Sequence, residues 1–450
     1  MRNSLLFSLF CIASFAPLLA QERTPITTYF AQKPDQVREK YTILDGDSSR
    51  IDGPYERYAI TGKLAASGTF QEGNLLGNYE EYYPNGTVSR QLTFADGAKN
   101  GPFVVFNDSG DTIQRGTYRN DIIADSLVLY YPAGGIKSIT PFRLGQPDGW
   151  VREFYEDGTL RRKAPYTVGR LEGIEYTFYE ENGKVATEAQ YKNGRLNGYF
   201  FTYYQNGQKH KETVHLAGSA TGVFREFSEN GTLILEGNQE NGVLSGNNTA
   251  WYPNGALKHE FTYEQGERVG QSRWFYEDGT LSKEIVPQGT EANRTETTYH
   301  PNGKKASVSL YQNNLPSGTW KEYQESGALL AETNYQGGKK HGIWVYYHTN
   351  GQVSEKLTYQ FGRIVGTAMR WYENGKLEEE LAYSNGKIHG PATQYHENGE
   401  VKAVGSYAGN WQVGEWKYYD PAGELEMTQT YQRGKVVNTV LHRDGEGAEN

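Results

Sequence analysis

Three histidines, His300, His348 and His396, stand 48 residues apart, and His341 and His389 repeat the same interval. Imidazoles are metal ligands, but a shared zinc ion requires bonds of about 2.0–2.1 Å to each ring nitrogen. If each interval holds two β-hairpins, four strands at about 4.8 Å separate neighbouring rings by roughly 19 Å. They cannot converge on one ion. Carboxylates also cluster, at Glu80–Glu81, Glu180–Glu181 and Glu378–Glu380. A glycosidase pair must face a common cleft at about 5–9.5 Å, whereas adjacent strand residues point to opposite faces. These carboxylates read as solvated charge. "HENGE" from His396 lacks the second histidine of a zinc-protease helix, and neither a Gly-x-Ser-x-Gly elbow nor a phosphate-binding loop occurs. The expectation is a protein with no catalytic residue, no metal site and no cofactor.

The elements that carry these side chains follow from a repeat. "YYPNG" from Tyr82 returns as "WYPNG" from Trp251, "YHPNG" from Tyr299 and "WYENG" from Trp371. With the turn glycine as zero, the series runs Gly62, Gly86, Gly110, Gly134, Gly158, Gly183 and on to Gly423, at 24-residue intervals with one of 25. Sixteen tandem units result, covering residues 52–434. Pro84, Pro253 and Pro301 supply the fixed φ of a type I turn, and the glycine that follows Asn or Asp takes the left-handed conformation of a bulged three-residue hairpin loop. An aromatic four residues before the glycine, such as Tyr82 or Trp251, then faces the residue two after it, such as Val88 or Leu257. Such cross-strand pairs contribute about 0.2–1 kcal/mol each.

Alternation places the positions two, six and eight after the glycine inward with that aromatic, and position five, often Glu, outward. At the 25-residue interval the same count selects Tyr179 as the core aromatic. A second glycine, nine before the first in most units, is expected to close each hairpin onto the next. The fold class is all-β: an elongated, twisted antiparallel meander of tandem hairpins, in which no hairpin is stable alone.

The residue three before the turn glycine lies one step from that aromatic and so faces the other way. It is Tyr83, Tyr131, Tyr155, Tyr204, Tyr252, Tyr276, His300, His348, Tyr372 and His396 in ten of the units. Rings with an apolar body and a polar tip at regular spacing form a candidate binding face for a partner or a glycan. The competing reading is that they cover neighbouring strands.

Residues 1–20, "MRNSLLFSLFCIASFAPLLA", have a basic start, an apolar run and a small residue before "QERTP", the anatomy of an export signal. The sole cysteine, Cys11, lies within it. Residues 21–51 read as an N-terminal cap and 435–450 as a C-terminal cap and polar tail. The formal charge is −9, one unit more negative without Arg2. That acidity argues against nucleic-acid binding and against polybasic docking on anionic lipid. No later segment reaches the ~18 apolar residues of a membrane helix, so an integral membrane protein is not expected. Expected destinations are the periplasm, cell envelope or extracellular space.

"YQGGKKHGIWVYY" from Tyr335, "YSNGKIHGPATQY" from Tyr383 and "YKNGRLNGYFFTYY" from Tyr191 read as Tyr-x-x-Gly-Lys/Arg-x-His/Asn-Gly followed by aromatics. This resembles the MORN repeat, and more closely the bacterial variant of YwqK-type antitoxin proteins. The resemblance implies stacked β-hairpins used as a scaffold or interaction surface. It also implies a toxin as one possible partner. The function expected is an exported, non-catalytic scaffold that binds a macromolecule, most readily a protein. The alternative is an antitoxin that neutralises a toxin by direct binding, with lipid or glycan binding as lesser readings.

Overall fold

The computed structural model describes residues 21–442. The export segment read over 1–20 and the end of the polar tail, 443–450, lie outside them. The described residues form 45 β-strands and contain no α-helix. Two compact units divide the chain: one runs to Gly207 with Leu216–Gly218, the other comprises Gln208–His215 and Ser219 onward. The first carries the turn glycines Gly62 to Gly207, the second those from Gly231 to Gly423. The fold is all-β, with antiparallel hairpins in tandem.

One repeat shows the construction. Strand Gly342–Tyr347 pairs antiparallel with Val353–Gln360. Between them, Gly351 N–H donates to His348 O at 2.9 Å, and His348 N–H donates to Gln352 O at 2.8 Å. This is a three-residue loop with a left-handed glycine at its end. All sixteen turn glycines have positive φ, from 67° to 101°. A side chain there meets open space in seven repeats and only neighbouring side chains in the other nine, so the requirement for glycine that all sixteen share comes from the backbone.

The sequence places the chain reversal between repeats at the glycine nine before the turn, and the structure moves it. The reversal lies four residues earlier, at a two-residue turn such as Phe361–Gly362 or Asn385–Gly386, both residues of which have positive φ. That is the turn whose twist matches paired strands. The later glycine, Gly366 or Gly342, marks a bulge between a two-residue strand and the next long one. For example, Tyr359 opposes Ile364, whereas further on Lys356 opposes Met369.

A second bulge changes which residues form the core. Tyr346 faces Glu355 and Tyr347 faces Val353, which leaves Ser354 without a partner. An unpaired residue swaps the faces of everything beyond it. The aromatic four before the glycine does face the aliphatic two after it, as in Tyr82 with Val88 and Trp251 with Leu257. That pair, however, lies on the sheet face opposite positions six and eight. Position seven before the glycine is the buried one: Phe103, Trp344 and Trp416 are fully buried there, whereas Trp251 and Tyr347 are half-buried.

Trp344, Leu357 and Ala368 form one core cluster, with Tyr335, Tyr346, Tyr359 and Tyr383 packed around it. Ala392, Ala403 and Trp416 form another. The 25-residue interval brings a further correction. Its extra residue lies in the turn, and Phe178 rather than Tyr179 opposes Val185. Tyr179 takes the place next to the turn.

At the ends, Arg23–Phe30 pairs with Lys33–Leu44, and Leu425–Gln432 pairs with Lys435–Leu441.

Candidate functional site

The ten candidate rings are all half-buried and line the edge formed by the bulged turns. In the first compact unit, Tyr83 Oη donates to Phe106 O at 2.8 Å, Tyr131 Oη to Phe154 O at 2.6 Å and Tyr155 Oη to Phe178 O at 2.9 Å. Tyr179, at the shifted position, donates to Tyr203 O at 2.5 Å, and Tyr204 occupies the equivalent register place. In the second unit, Tyr252, Tyr276 and Tyr372 donate to Phe275 O, Tyr299 O and Tyr395 O at 2.8–2.9 Å. His300, His348 and His396 reach Tyr323 O, Trp371 O and Tyr419 O through Nε2 at 2.7–2.9 Å. A carbonyl oxygen only accepts, so each of these imidazoles carries a proton on Nε2.

Each such bond therefore runs from one repeat to the backbone of the next. Tyrosine and histidine interchange at this position because both can place a donor at the end of a flat ring. Within each compact unit the sequence brings these residues to the turn edge. It does not reveal the bonds, because the acceptors are backbone carbonyls.

The turn asparagines run alongside. Asn254 Oδ1 accepts from Ala256 N in its own loop, while its Nδ2 donates to Glu277 O of the next turn at 2.9 Å. Asn302, Asn350, Asn374 and Asn398 do the same toward Glu325, Glu373, Glu397 and Pro421. Asp157 and Asp278 accept from Thr159 N and Thr280 N in their own loops. A carboxylate offers no donor for the next turn.

Two expected outcomes follow for this edge. Tyr252→Phe should lower stability by about 0.5–1.5 kcal/mol, the contribution of one hydrogen bond. Asn254→Asp should cost about 1–3 kcal/mol, because it keeps the local cap but turns a charge toward Glu277 O. Thermal melts of the two variants check both. An unchanged melting temperature in Tyr252→Phe together with lost partner binding would return that ring to the recognition reading.

The opposite sheet face carries a different row. Glu212 faces Arg225, Arg225 faces Glu236, Thr249 faces Glu260, Glu260 faces Arg273 and Arg273 faces Glu284, each directly across a strand boundary. Arg225 Nε lies 2.6 Å from Glu236, and Arg273 lies 3.7 Å from Glu260 and 3.4 Å from Glu284. The side chains of Arg225, Glu236, Arg273 and Glu260 are each about two-fifths exposed, at 40–44%. The Glu236 pair holds the Arg225 guanidinium above its ordinary pKa, although burial works against it.

Half-buried aromatics flank the row. One is Tyr299, whose pKa burial and then the Glu284 charge raise; at the equivalent place further along the chain, Tyr395 Oη donates to Glu380 at 3.2 Å. The sequence marks the glutamates of this row as outward-facing but misses Arg225 and Arg273. Both stand six before a turn glycine, and the 24-residue period alone could have linked them.

Histidine, carboxylate and cysteine side chains form no group of three or more placed to hold a metal among the described residues.

Side-chain stitching from hairpin to hairpin defines a β-repeat protein whose unit is one bulged hairpin plus one tight turn. A family model described as the MORN repeat variant matches residues 75–96, 147–167, 172–193, 268–286, 295–313, 316–336, 340–360, 364–385, 388–408 and 412–433. The chain is a MORN-repeat protein. No curated protein matches it. Among solved structures, it is similar at 12% identity to a chain of the TcdB2-TccC3 crystal structure, over 90% of this chain and 28% of that one, with a TM-score of 0.14. A eukaryotic initiation factor is similar at 10% identity over 95% of this chain and 100% of that one, with a TM-score of 0.15. The chain thus spans 28% of the TcdB2-TccC3 chain, and the family assignment stands on the repeat match alone.

Proposed function

We propose that this protein is an exported, non-catalytic scaffold whose mixed aromatic and charged sheet face binds another protein. The observation that carries the reading is the row Glu212, Arg225, Glu236, Glu260, Arg273 and Glu284. Its charges are partly exposed, alternate in sign over part of its length and are held at strand spacing by direct cross-strand register. Exposed ion pairs add only about 0–1 kcal/mol to stability. They do, however, present a fixed pattern of potential that favours a complementary partner and rejects others.

The test is crosslinking of the full chain in its native cells, with capture compared between wild type and a Glu236→Lys/Glu284→Lys variant. One protein neighbour should be enriched with wild type and fall about tenfold, roughly 1.4 kcal/mol, with the variant, at an unchanged melting temperature. Equal capture by both would sink the assignment of this face. The repeat motif from Tyr335 and Tyr383 also supports a second reading, an antitoxin of the YwqK type. A toxin as the enriched neighbour, with its activity suppressed on mixing, would select it.

A further inference from the structure

We propose that Asn241 and Asn385 are sites of spontaneous deamidation, and that the asparagines of the bulged turns are shielded from it by their side-chain bonds. An Asn-Gly pair is open to this reaction because glycine, lacking Cβ, leaves its own nitrogen accessible to the preceding side chain. The Gly N attacks Asn Cγ. The N–Cγ bond forms, the Cγ–Nδ2 bond breaks, and Nδ2 departs as ammonia with the proton that the Gly N gave up. Water then opens the five-membered imide at either carbonyl, leaving aspartate or isoaspartate.

Asn-Gly occurs in both kinds of turn of the second compact unit. Asn254, Asn302, Asn350, Asn374 and Asn398 stand in bulged turns, whereas Asn241 and Asn385, each at φ 51°, stand in the tight turns between repeats. All seven are exposed. The nucleophile is tied alike in both sets: the glycine N–H donates to a carbonyl at 2.8–2.9 Å in the five bulged turns, and at 2.7 Å for Gly242 and 2.9 Å for Gly386. Dipeptide, exposure and nucleophile therefore cancel from the comparison.

The amide does not cancel. In each of the five bulged turns Oδ1 accepts from the N–H two residues on, at 2.9–3.0 Å. Nδ2 donates to a carbonyl of the following turn, at 2.6–3.0 Å. Cγ swings over the glycine nitrogen only after both bonds break. Among the described residues, no hydrogen bond holds the side-chain amide of Asn241 or Asn385. Two bonds of ordinary worth slow the bulged-turn asparagines at least about fivefold, roughly 1 kcal/mol. The product matters at a two-residue turn. Aspartate suits such a turn as asparagine does, but isoaspartate routes the main chain through Cβ and Cγ. It thereby lengthens a loop whose length sets the register, beside the pairs Ser384–Lys387 and Tyr383–Ile388.

The full chain, held in mildly alkaline buffer with and without denaturant, is digested at intervals and each Asn-Gly peptide is followed by mass spectrometry. In the folded chain Asn241 and Asn385 should deamidate at least about fivefold faster than any of the five bulged-turn asparagines. In the unfolded chain the gap should close, because the bonds that make it are gone. A bulged-turn asparagine reacting as fast in the folded chain would overturn the proposal. So would a gap that persists in denaturant, which would assign the difference to sequence. Folded Asn241 and Asn385 that stay intact while every site reacts in denaturant would overturn it too.

Discussion

Replacing Trp416 with alanine is expected to destabilise the C-terminal repeats by about 3–5 kcal/mol, the usual range for emptying a buried aromatic site. Trp416 is 1% exposed, the largest fully buried side chain among the described residues. Its Nε1–H donates to Ser406 O at 3.2 Å, and Tyr407, Tyr418 and Tyr431 pack around the cluster it forms with Ala392 and Ala403. Gly405 explains how so large a ring fits: a Cβ there would collide with the indole. Gly405 has no left-handed φ, so the requirement is for space alone. Gly405→Ala should therefore cost about 1–3 kcal/mol or more in the wild type through overpacking. It should cost little in a Trp416→Ala background. Denaturant melts of the two single variants and the double variant close the cycle. Additive losses would show that the glycine does not serve the ring. Because neighbours stabilise each repeat, hydrogen exchange should quicken first in the repeats around Gly399 and Gly423.

This pairing of glycine and ring also shows what the sequence could and could not convey. The 24-residue period, the bulged turn and the Trp251–Leu257 type of contact were legible because each rests on local chemistry: proline's φ, glycine's left-handed conformation and direct opposition across a short loop. The core was misplaced by one sheet face. Strict alternation carries the face of Tyr347 and Val353 on to Leu357 and Tyr359, and the unpaired Ser354 just after Val353 breaks that count. Position seven before the glycine was hard to recognise as core because its residue type varies so widely. It is Phe103 in one repeat, Trp344 in another and Ala368 in a third, with size compensated across strands where Gly116 opposes Phe103 and Leu381 opposes Ala368.

The ladder of Tyr252, Tyr276 and His300 was found by spacing. Its partners were invisible because every repeat offers the same anonymous carbonyl. The insertion at Tyr179 could not be assigned to turn or strand by counting, since the aromatic pair Phe178–Tyr179 fits either register.

Raising the pH should unfold the protein cooperatively between about pH 10 and 12, because folding holds many phenols in their neutral form. Tyr55 is pushed up to about 12 by burial and then by its bond to Glu39. Tyr58 is pushed up to about 12 mainly by its bond to Glu56. On the apolar face, burial raises Tyr346, Tyr359, Tyr383 and Tyr407; a neighbouring carboxylate, Glu355 or Glu379, raises Tyr359, Tyr383 and Tyr407 further, and neighbouring phenols add to Tyr346, Tyr359 and Tyr407. Burial and the bond with Tyr431 raise Tyr418.

A folded-state value above the unfolded value of about 10 means that the contribution is complete below pH ~10 and is lost as pH rises through the folded value. Each phenolate that forms in a row also opposes the next. Ionisation is thereby delayed until the strands separate and then completes together. Phenolate absorbance and the strand signal in circular dichroism should consequently change in one transition. Separate titration of phenols near pH 10 with strands intact would mean that these rings are solvated. The acid side should be gentler. Burial raises Glu296, but its bonds to Lys283 and Arg294 outweigh that and leave it net lowered. Its stabilisation is present above pH ~4.3 and lost as pH falls through its lower folded value. Few carboxylates here are shifted in that way, whereas the tyrosines recur with the repeat, so the alkaline limb should be the steeper of the two.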